Sequence, residues 1–328
     1  MIRILRVGDP HVKVNNIKES RSLIEFVARM AAENKVNRIE ILGDLFHTHA
    51  VLRLEVVDFW VWAFEKLTQI CEVVVLVGNH DLSGDFNSNS SALSVFSLMG
   101  LKNLTVVEKP TLIGNIGYIQ YVHDSSDFIM RSTALAGRGA KVIVCHQTIQ
   151  GSKYESGMYA PDGIPTGEWS ERFVHIISGH IHSEQSFGNI IYPGTARWDS
   201  AVDANRRKGI WIYDHELSSG RIIGASFIST EHVCSPIRSV VFTEGDTVAV
   251  SWPQAARVAV ELVGSSVWCS QQKEILKGKC SISTKITDKQ KAVSRSPGNS
   301  LEYFLKNAFV STLDRDAVIK FAREMGIV

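Results

Sequence analysis

The chain has 328 residues, of which 45% are hydrophobic and 21% charged, and its formal net charge is +1 at pH 7. This composition is typical of a globular protein with a large core and excludes a strongly basic or acidic protein. The five cysteines are scattered and include no CxxC pair, so neither a disulfide framework nor a thiolate zinc site is indicated. The chain begins with a strand-like segment, and no apolar run reaches the roughly 18 residues of a membrane span. We therefore expect a cytoplasmic protein without membrane contact.

Five short β-rich runs each end in a turn that carries carboxylate, amide or imidazole side chains. The runs cover residues 2–7, 39–42, 73–77, 142–144 and 175–177. The turns are, in chain order, Gly8-Asp9-Pro10-His11, Gly43-Asp44-Leu45-Phe46-His47, Gly78-Asn79-His80-Asp81, Cys145-His146-Gln147 and Gly179-His180-Ile181-His182. Because α/β folds place their ligands at the carboxyl ends of strands, these turns are expected to meet at one site.

The segments between the turns predict an α/β fold. Residues 17–34 and 54–70 have the apolar spacing of amphipathic helices. The run 73–77 is apolar on both faces, which is typical of a parallel or mixed sheet covered by helices. Further strands are predicted at 104–107, 111–113 and 116–121, and the strands at 190–192, 209–213 and 221–227 are expected to complete a second sheet.

The turns supply seven oxygen or imidazole donors and no thiolate. These donors are Asp9, His11, Asp44, Asn79, His146, His180 and His182. Such a set suits two divalent ions such as manganese, iron or zinc. With Asp44 shared as a bridge, the ions would lie roughly 3.5 to 4 Å apart, the spacing used for in-line displacement at phosphorus. The alternative is that each turn is an independent polar cap on a strand, but five such coincidences in this order are improbable.

The five turns, in this order, resemble the signature blocks of the calcineurin-like metallophosphoesterases over about residues 1–230. The resemblance implies an α/β fold, a two-sheet α/β/β/α sandwich. It also implies that the protein hydrolyses phosphoesters with two metal ions, for which manganese is the expected metal. It assigns Asp9, His11, Asp44 and His182 to one ion, and Asp44, Asn79, His146 and His180 to the other. It also implies that His80 donates a proton to the leaving oxygen, that Asp81 orients His80, and that His47 lies near the scissile phosphate. Cys145 departs from the family pattern, in which glycine or alanine usually precedes the histidine.

Four features of the sequence favour DNA as the substrate. The block 190–195, with Asp203 and Lys208-Gly209 after it, is similar to the SbcD nuclease group and to phage recombination nuclease subunits. Residues 258–286 predict a small β-α-β module, which is a DNA-binding cap in those nucleases. The stretch 273–295 carries a net charge of +5, suited to phosphate contact, or else it is a solvated helix face. The expected DNA-binding residues are Lys273, Lys277, Lys279 and Lys285.

The fourth feature is the C-terminal segment 297–328, which predicts a helical tail with apolar residues. Related nucleases use such helices to bind a coiled-coil ATPase, although core packing is the plainer alternative. The expected organisation is therefore a catalytic domain at 1–232, a small α+β cap at 233–296 and this tail.

The function expected from these features is that of a metal-dependent DNA exonuclease or endonuclease subunit that works with an SbcC-type ATPase in recombination, repair or genome degradation. Two alternatives stay open. One is a phosphomonoesterase or a small-molecule or cyclic-nucleotide phosphodiesterase of the same superfamily, and the other is a scaffold of the same fold that binds no metal. The sequence leaves open the polarity of digestion and whether the chain forms a homodimer.

Overall fold

The computed structural model describes residues 1–49, 51–83, 90–246, 248 and 257–287. The chain divides into two compact units, Met1–Val240 with Val250–Val260 and Val241–Ala249 with Glu261–Val328. No helix in the described ranges is long and apolar enough to cross a membrane. The predicted tail, 297–328, lies outside the described residues. So do three cations of the basic stretch 273–295, namely Lys289, Lys291 and Arg295. The domain boundaries at 232 and 296 stay predictions.

The first unit alternates strands and helices, as its alternating β-branched runs and amphipathic segments predict. Its strands are β1 (Ile2–Val7), β2 (Arg38–Ile41), β3 (Glu72–Leu76), β4 (Leu104–Val107), β5 (Thr111–Ile113), β6 (Ile116–Ile119), β7 (Val142–His146), β8 (His175–Gly179), β9 (Gln185–Phe187), β10 (Ile190–Tyr192), β11 (Gly209–His215) and β12 (Ile222–Ser229). Its helices are α1 (Ile17–Glu33), α2 (Leu54–Thr68), α3 (Ser94–Ser97), α4 (Ser125–Gly137) and α5 (Glu168–Glu171). Strand β9 and helix α5 were not predicted from the sequence, because they are only three and four residues long.

The first sheet has the strand order β12-β11-β1-β2-β3-β4. Strands β1 to β4 are parallel, and β11 runs antiparallel to β1, with Ile4 opposite Tyr213. The expectation that the strands at 209–213 and 221–227 complete the second sheet is therefore wrong. Periodicity identified these segments as strands, but it does not specify which strand each one pairs with. In the structure β11 pairs with the edge of β1, and β12 pairs with β11.

The second sheet has the order β5-β6-β7-β8-β10-β9 and packs face to face on the first. Its inner strands are parallel, whereas β5 and β9 are antiparallel edges. Apolar side chains of both sheets fill the space between them, among them Ile4, Leu76, Val144 and Ile177. Helices α1 and α2 cover the outer face of the first sheet, and α4 and α5 cover that of the second. The predicted α/β/β/α sandwich is confirmed.

A buried ionic network joins the two sheets. Arg6 on β1 and Glu40 on β2 have no solvent exposure, and Arg6 Nε donates to Glu40 Oε2 over 2.7 Å. Tyr118 on β6 donates its hydroxyl proton to the other Glu40 oxygen, and Arg38 Nη1 donates to the Tyr118 oxygen over 2.7 Å. The network therefore ties the strands that lead to the first candidate ligands to the opposite sheet.

A third sheet follows in the chain, with strands β13 (Ile237–Thr243), β14 (Arg257–Gly264) and β15 (Ser281–Ile286) in sequence order. Helix α6 (Ser266–Leu276) connects β14 to β15. Ser265 is its N-cap, because the Ser265 hydroxyl oxygen accepts a hydrogen bond from Trp268 N. The structure contains the predicted β-α-β module, whereas β13 was not predicted.

Candidate metal centre

The five predicted turns meet at one place in the first unit. Each follows or ends a parallel strand, namely β1, β2, β3, β7 or β8, and parallel strands carry their carboxyl ends to the same edge of a sheet. The contacts of Asp9, His11, Asp44, Asn79, His146, His180 and His182 join all seven expected ligands into one cluster. The structure therefore brings together every ligand that the sequence singled out.

Asp44 lies at the centre of the cluster. Its Oδ2 is 3.3 Å from His146 Nε2 and 3.6 Å from His11 Nε2, and its Oδ1 accepts a hydrogen bond from His80 N. Two groups of side chains are close enough to hold an ion, His11 with Asp44 and His80, and Asp44 with His146 and His180. Because Asp44 belongs to both groups, its position suits the predicted bridge.

The other expected ligands complete the two sides of this cluster. His11 Nε2 and His182 Nε2 face each other at 3.1 Å, and Asn79 Oδ1 lies 3.0 Å from His146 Nε2 and 2.8 Å from His180 Nδ1. Asp9 accepts a hydrogen bond from His180 N. The geometry places His80 in the group where the resemblance assigned Asp9 and His182, so the division of ligands between the ions stays a prediction.

The donor set fits divalent cations. His146 Nδ1–H donates to the Leu42 carbonyl over 2.7 Å, which fixes the tautomer and directs Nε2 at Asp44, as in many metal-bound histidines. Burial lowers the pKa of His11 and of His180 to about 3, so both imidazoles are neutral and offer a lone pair at neutral pH. Three facing donors, Asn79 Oδ1, His146 Nε2 and His180 Nδ1, converge within 3.2 Å of one another, as ligands around one ion do.

The charges of the buried acids depend on their neighbours. Burial raises the pKa of Asp9 to about 6. Burial also acts against the charge of Asp44, but the imidazoles of His146, His11 and His80 together outweigh burial and lower the pKa of Asp44 below its usual range. Asp44 in turn raises the pKa of His146 to about 9, against the effect of burial. An ion that binds between these groups would displace the His146 proton, because a ligating imidazole must be neutral.

The backbone is strained where it carries the ligands. Asp9, His11, Asp44 and His180 have φ angles of 34°, 44°, 50° and 79°, in the left-handed region. Such residues cost about 1 to 3 kcal/mol each and persist where the surrounding structure holds them. In the described part of the chain only two other non-glycine residues, Lys35 and Asn205, have a positive φ. The strain is therefore concentrated at the candidate ligands.

Gly78 lets the β3 turn approach Asp44, and this contact makes a testable prediction. A Cβ at position 78 would lie 2.2 Å from Asp44 Oδ1, so we expect Gly78→Ala to displace the carboxylate. Manganese affinity should fall by about 10- to 100-fold, the range reported when a ligand loses its support. Isothermal titration calorimetry measures it. Gly137→Ala is the matched control, because an added Cβ there meets nothing within 4 Å and the residue ends α4. Equal affinity in the two variants would contradict the prediction.

The predicted catalytic residues lie beside this cluster. His80 is half-buried, its ring centroid is 4.8 Å from that of His11, and its Nδ1–H donates to the His47 carbonyl over 2.8 Å. The hydrogen bond leaves Nε2 available for proton transfer. The expectation that Asp81 orients the His80 imidazole is wrong in this structure. The Asp81 carboxylate instead accepts hydrogen bonds from Phe46 N and Gly78 N, so it fastens the turns that follow β2 and β3.

His47 lies at the edge of the site. Its ring centroid is 5.7 Å from that of His11 and 6.1 Å from that of His80, and its Nδ1 is 3.7 Å from Asp199 Oδ2. Burial lowers the pKa of the His47 imidazole, although the carboxylate of Asp199 opposes this effect. The structure thus brings His47 to the cluster, as predicted, together with an acid that the sequence analysis missed.

Three further residues near the cluster were not singled out by the sequence. His49 stacks on His80 with ring centroids 4.1 Å apart, and Tyr121 lies 6.0 Å from the His180 ring. Glu155 Oε1 accepts hydrogen bonds from His182 N and Ser183 N. His49 follows His47 by two residues, a spacing that could have drawn attention to it, whereas Glu155 carries no local signal because its partners are distant in the chain.

The block that follows the last turn supports His182. Lys208 is buried, and its ammonium group donates to the His182 carbonyl over 2.8 Å and pairs with Asp203 Oδ1 at 2.6 Å. Asp203 Oδ2 also accepts a hydrogen bond from Asp199 N. Asp203 and Lys208 belong to the block that resembles the nuclease group. They therefore hold the turn that carries His182.

The four predicted DNA-binding lysines belong to the α6–β15 region. Lys273 lies in α6, Lys277 and Lys279 lie in the turn after it, and Lys285 lies in β15. All four are exposed, and Lys277 Nζ is 3.4 Å from Glu274 Oε2 in an exposed ion pair. All four therefore offer their charges to solvent, and their role in DNA binding stays a prediction.

Comparisons with known proteins show the family of this chain. The sequence profile of the family described as calcineurin-like phosphoesterase matches residues 2–184. The chain therefore belongs to this family and is a metal-dependent phosphoesterase. It is 30% identical over 204 residues to the putative phosphoesterase 244L of Invertebrate iridescent virus 6, covering 59% of this chain and 69% of the relative.

Two further relatives are more distant. The chain is 25% identical over 211 residues to the putative phosphoesterase 078R of Invertebrate iridescent virus 3, covering 60% of this chain and 57% of the relative. It is 24% identical over 233 residues to exonuclease subunit 1 of Enterobacteria phage T4, covering 68% of this chain and 67% of the relative. The chain thus spans little more than half of the second viral relative.

Proposed function

We propose that this protein is a DNA nuclease subunit that hydrolyses phosphodiester bonds with two divalent ions, for which manganese is the expected metal. The proposal rests on the position of Asp44. This residue belongs to both groups that could hold an ion, in the cluster formed by the five turns that resemble the family's signature blocks. The match to a phage exonuclease subunit over 68% of the chain supports DNA as the substrate. The exposed lysines of the α6–β15 region add a surface suited to phosphate groups.

The residues of the site have distinct parts in this reaction. Held by the seven predicted ligands around Asp44, the ions would supply an activated water and polarise the phosphoryl oxygens. His80 donates a proton to the leaving oxygen, and its ring is held by the hydrogen bond from Nδ1–H to the His47 carbonyl. Asp81 keeps the turns of β2 and β3 together through Phe46 N and Gly78 N. His47 faces the substrate phosphate from the edge of the site.

The proposal extends to partners. We infer that the tail, 297–328, binds a coiled-coil ATPase of the SbcC type, which would open duplex ends for cleavage. The assignment of this role comes from the resemblance of the tail sequence to related nucleases. A cytoplasmic location suits such a complex, and self-association into a homodimer would be compatible with it. Co-purification of the full chain with a candidate ATPase, lost on removal of residues 297–328, is the expected result.

Digestion of end-labelled linear duplex and single-stranded DNA tests the proposed activity. With manganese we expect the wild-type chain to cut, and Asn79→Ala and His80→Ala to lose cleavage, because the first removes a donor to an ion and the second removes the proton donor. The expected losses are about 100-fold or more, the scale of general acid catalysis. Failure of the wild type to cut DNA, alone or with the ATPase, would contradict the proposal.

The lysines make a separate prediction. We expect Lys277→Ala with Lys279→Ala to weaken binding of duplex DNA and to reduce the slope of log affinity against log salt by about 2, close to one per phosphate contact. Fluorescence anisotropy at several salt concentrations measures this slope. The matched control is Lys18→Ala with Lys102→Ala, which removes two exposed lysines of the first unit. Equal slopes for the two double variants would show that the basic surface does not contact DNA.

The alternative function is a phosphomonoesterase or a small-molecule phosphodiesterase. The two relatives described as putative phosphoesterases favour it, because their names specify no substrate. This alternative function predicts that the protein hydrolyses aryl phosphates rapidly. It also predicts that end-labelled DNA stays intact even in the presence of the ATPase. The digestion experiment therefore separates the two functions.

A further inference from the structure

A short hairpin, residues 152–160, lies beside the metal centre and contains neither a predicted metal ligand nor the proposed proton donor. It forms through hydrogen bonds from Ala160 N to Ser152 O and from Tyr154 N to Met158 O, and it turns at Gly157, whose φ is +84°. Lys153 and Tyr159 lie opposite each other across the two arms. The 152–160 hairpin thus places Lys153 and Tyr159 next to each other at its centre.

The hairpin is fixed to the turn that carries His182. Glu155 Oε1 accepts hydrogen bonds from His182 N over 2.7 Å and from Ser183 N over 3.1 Å. Lys153 N donates to Gln185 Oε1, and Gln185 Nε2 donates back to Lys153 O, each over 2.8 Å. Because its first arm is anchored at Lys153 and Glu155, the hairpin is held beside the turn that carries His182.

The outer side of the hairpin presents apolar and cationic groups to solvent. Tyr159 is 65% exposed and Met158 is 68% exposed. The ammonium group of Lys153 lies 4.8 Å from the centre of the Tyr159 ring, so within the described chain it contacts an aromatic face rather than a carboxylate. An exposed aromatic ring with an adjacent unneutralised cation has the two features that recognise a nucleotide, a stacking surface for the base and a positive charge for the phosphate.

We propose that the 152–160 hairpin binds one nucleotide of a single DNA strand on the His182 side of the metal centre. Tyr159 stacks on the base, Met158 packs against its edge, and Lys153 binds the neighbouring phosphate. This inference rests on the proposed nuclease function and specifies its substrate as a strand with unpaired bases near the cleavage point. Since every base has an aromatic face, the contact favours single strands without selecting a sequence.

Binding of an oligonucleotide that carries 2-aminopurine tests the hairpin. With EDTA present, so that the strand stays intact, we expect the wild type to quench the probe by stacking. Tyr159→Ala should remove the quenching and weaken binding by about 10-fold, within the range for loss of one base stack. Tyr159→Phe should restore both to within about 2-fold, because phenylalanine keeps the stacking face. Met130→Ala removes an exposed apolar side chain of α4 and is expected to bind like the wild type.

Two results would overturn the inference. One is Tyr159→Ala binding and quenching within 2-fold of the wild type, and the other is an equal loss in Tyr159→Ala and Tyr159→Phe, which would show that the ring face is not the contact. Failure of the proposed nuclease function looks different, because the wild type itself would then neither bind the strand nor cut it with manganese. Kinetics with manganese add a second readout, in which Tyr159→Ala raises KM for single-stranded DNA and leaves kcat unchanged.

Discussion

Replacement of Asp44 by asparagine is expected to abolish phosphoesterase activity. The carboxylate lies in both groups that could hold an ion, 3.3 Å from His146 Nε2 and 3.6 Å from His11 Nε2, so its charge would serve both ions. Asparagine keeps the shape but removes the charge. Loss of one preorganised electrostatic contact costs about 10² to 10³ in kcat, and Asp44 makes two such contacts, so we expect a loss of more than about 10³-fold.

Hydrolysis of bis(p-nitrophenyl) phosphate with manganese measures this loss, and equilibrium dialysis measures the bound manganese. Asp58→Asn is the matched control, because Asp58 is an exposed acid of α2 and should behave like the wild type. The fold of Asp44→Asn is checked by circular dichroism. Activity within tenfold of the wild type would exclude Asp44 as the shared ligand.

Replacement of Glu40 by alanine is expected to have the largest effect on stability. Glu40 has no solvent exposure and accepts hydrogen bonds from Arg6 Nε and from the Tyr118 hydroxyl, while Arg38 Nη1 lies 4.0 Å away. Without it, the buried Arg6 guanidinium loses its carboxylate. Removal of one partner from a buried ion pair costs about 3 to 5 kcal/mol, because it leaves an uncompensated charge.

Urea unfolding followed by circular dichroism gives this free energy, with a fall in the transition midpoint at constant slope as the expected form. Glu72→Ala is the control. Glu72 also pairs with Arg38, at 2.7 Å, but its side chain is 37% exposed, so its removal should cost only about 1 kcal/mol or less. A similar loss in both variants would show that burial of the network is not what makes Glu40 important.

The site was largely predictable because each ligand has a local signal. A β-rich run followed by a polar side chain recurs five times, with a glycine in four of the turns. The carboxyl ends of parallel strands bring Asp9 and Asp44 together in the first sheet, and the packing of the second sheet adds His146. The positive φ angles of these turns were not predictable, because aspartate and histidine mostly have a negative φ even though they adopt a positive φ more often than other residues. The strained backbone at Asp44 and His180 is a property of the assembled site.

Features that depend on distant partners were not predictable. The role of Asp81 differs from the expectation because its oxygens meet Phe46 N and Gly78 N, and an interaction with backbone leaves no sequence pattern. Arg6 and Glu40 look like exposed positions of strands, yet the sandwich buries them as a pair. Strand β11 likewise showed its periodicity but not its place beside β1, because pairing is decided by the whole sheet.

Anomalous diffraction from crystals grown with manganese tests most directly whether Asp44 joins two ion sites in one cluster. Two anomalous peaks are expected on either side of the Asp44 carboxylate, one near His11 and the other near His146 and His180, and both should disappear in Asp44→Asn. Absence of manganese beside Asp44 in the wild type, or peaks that persist in the variant, would contradict the account.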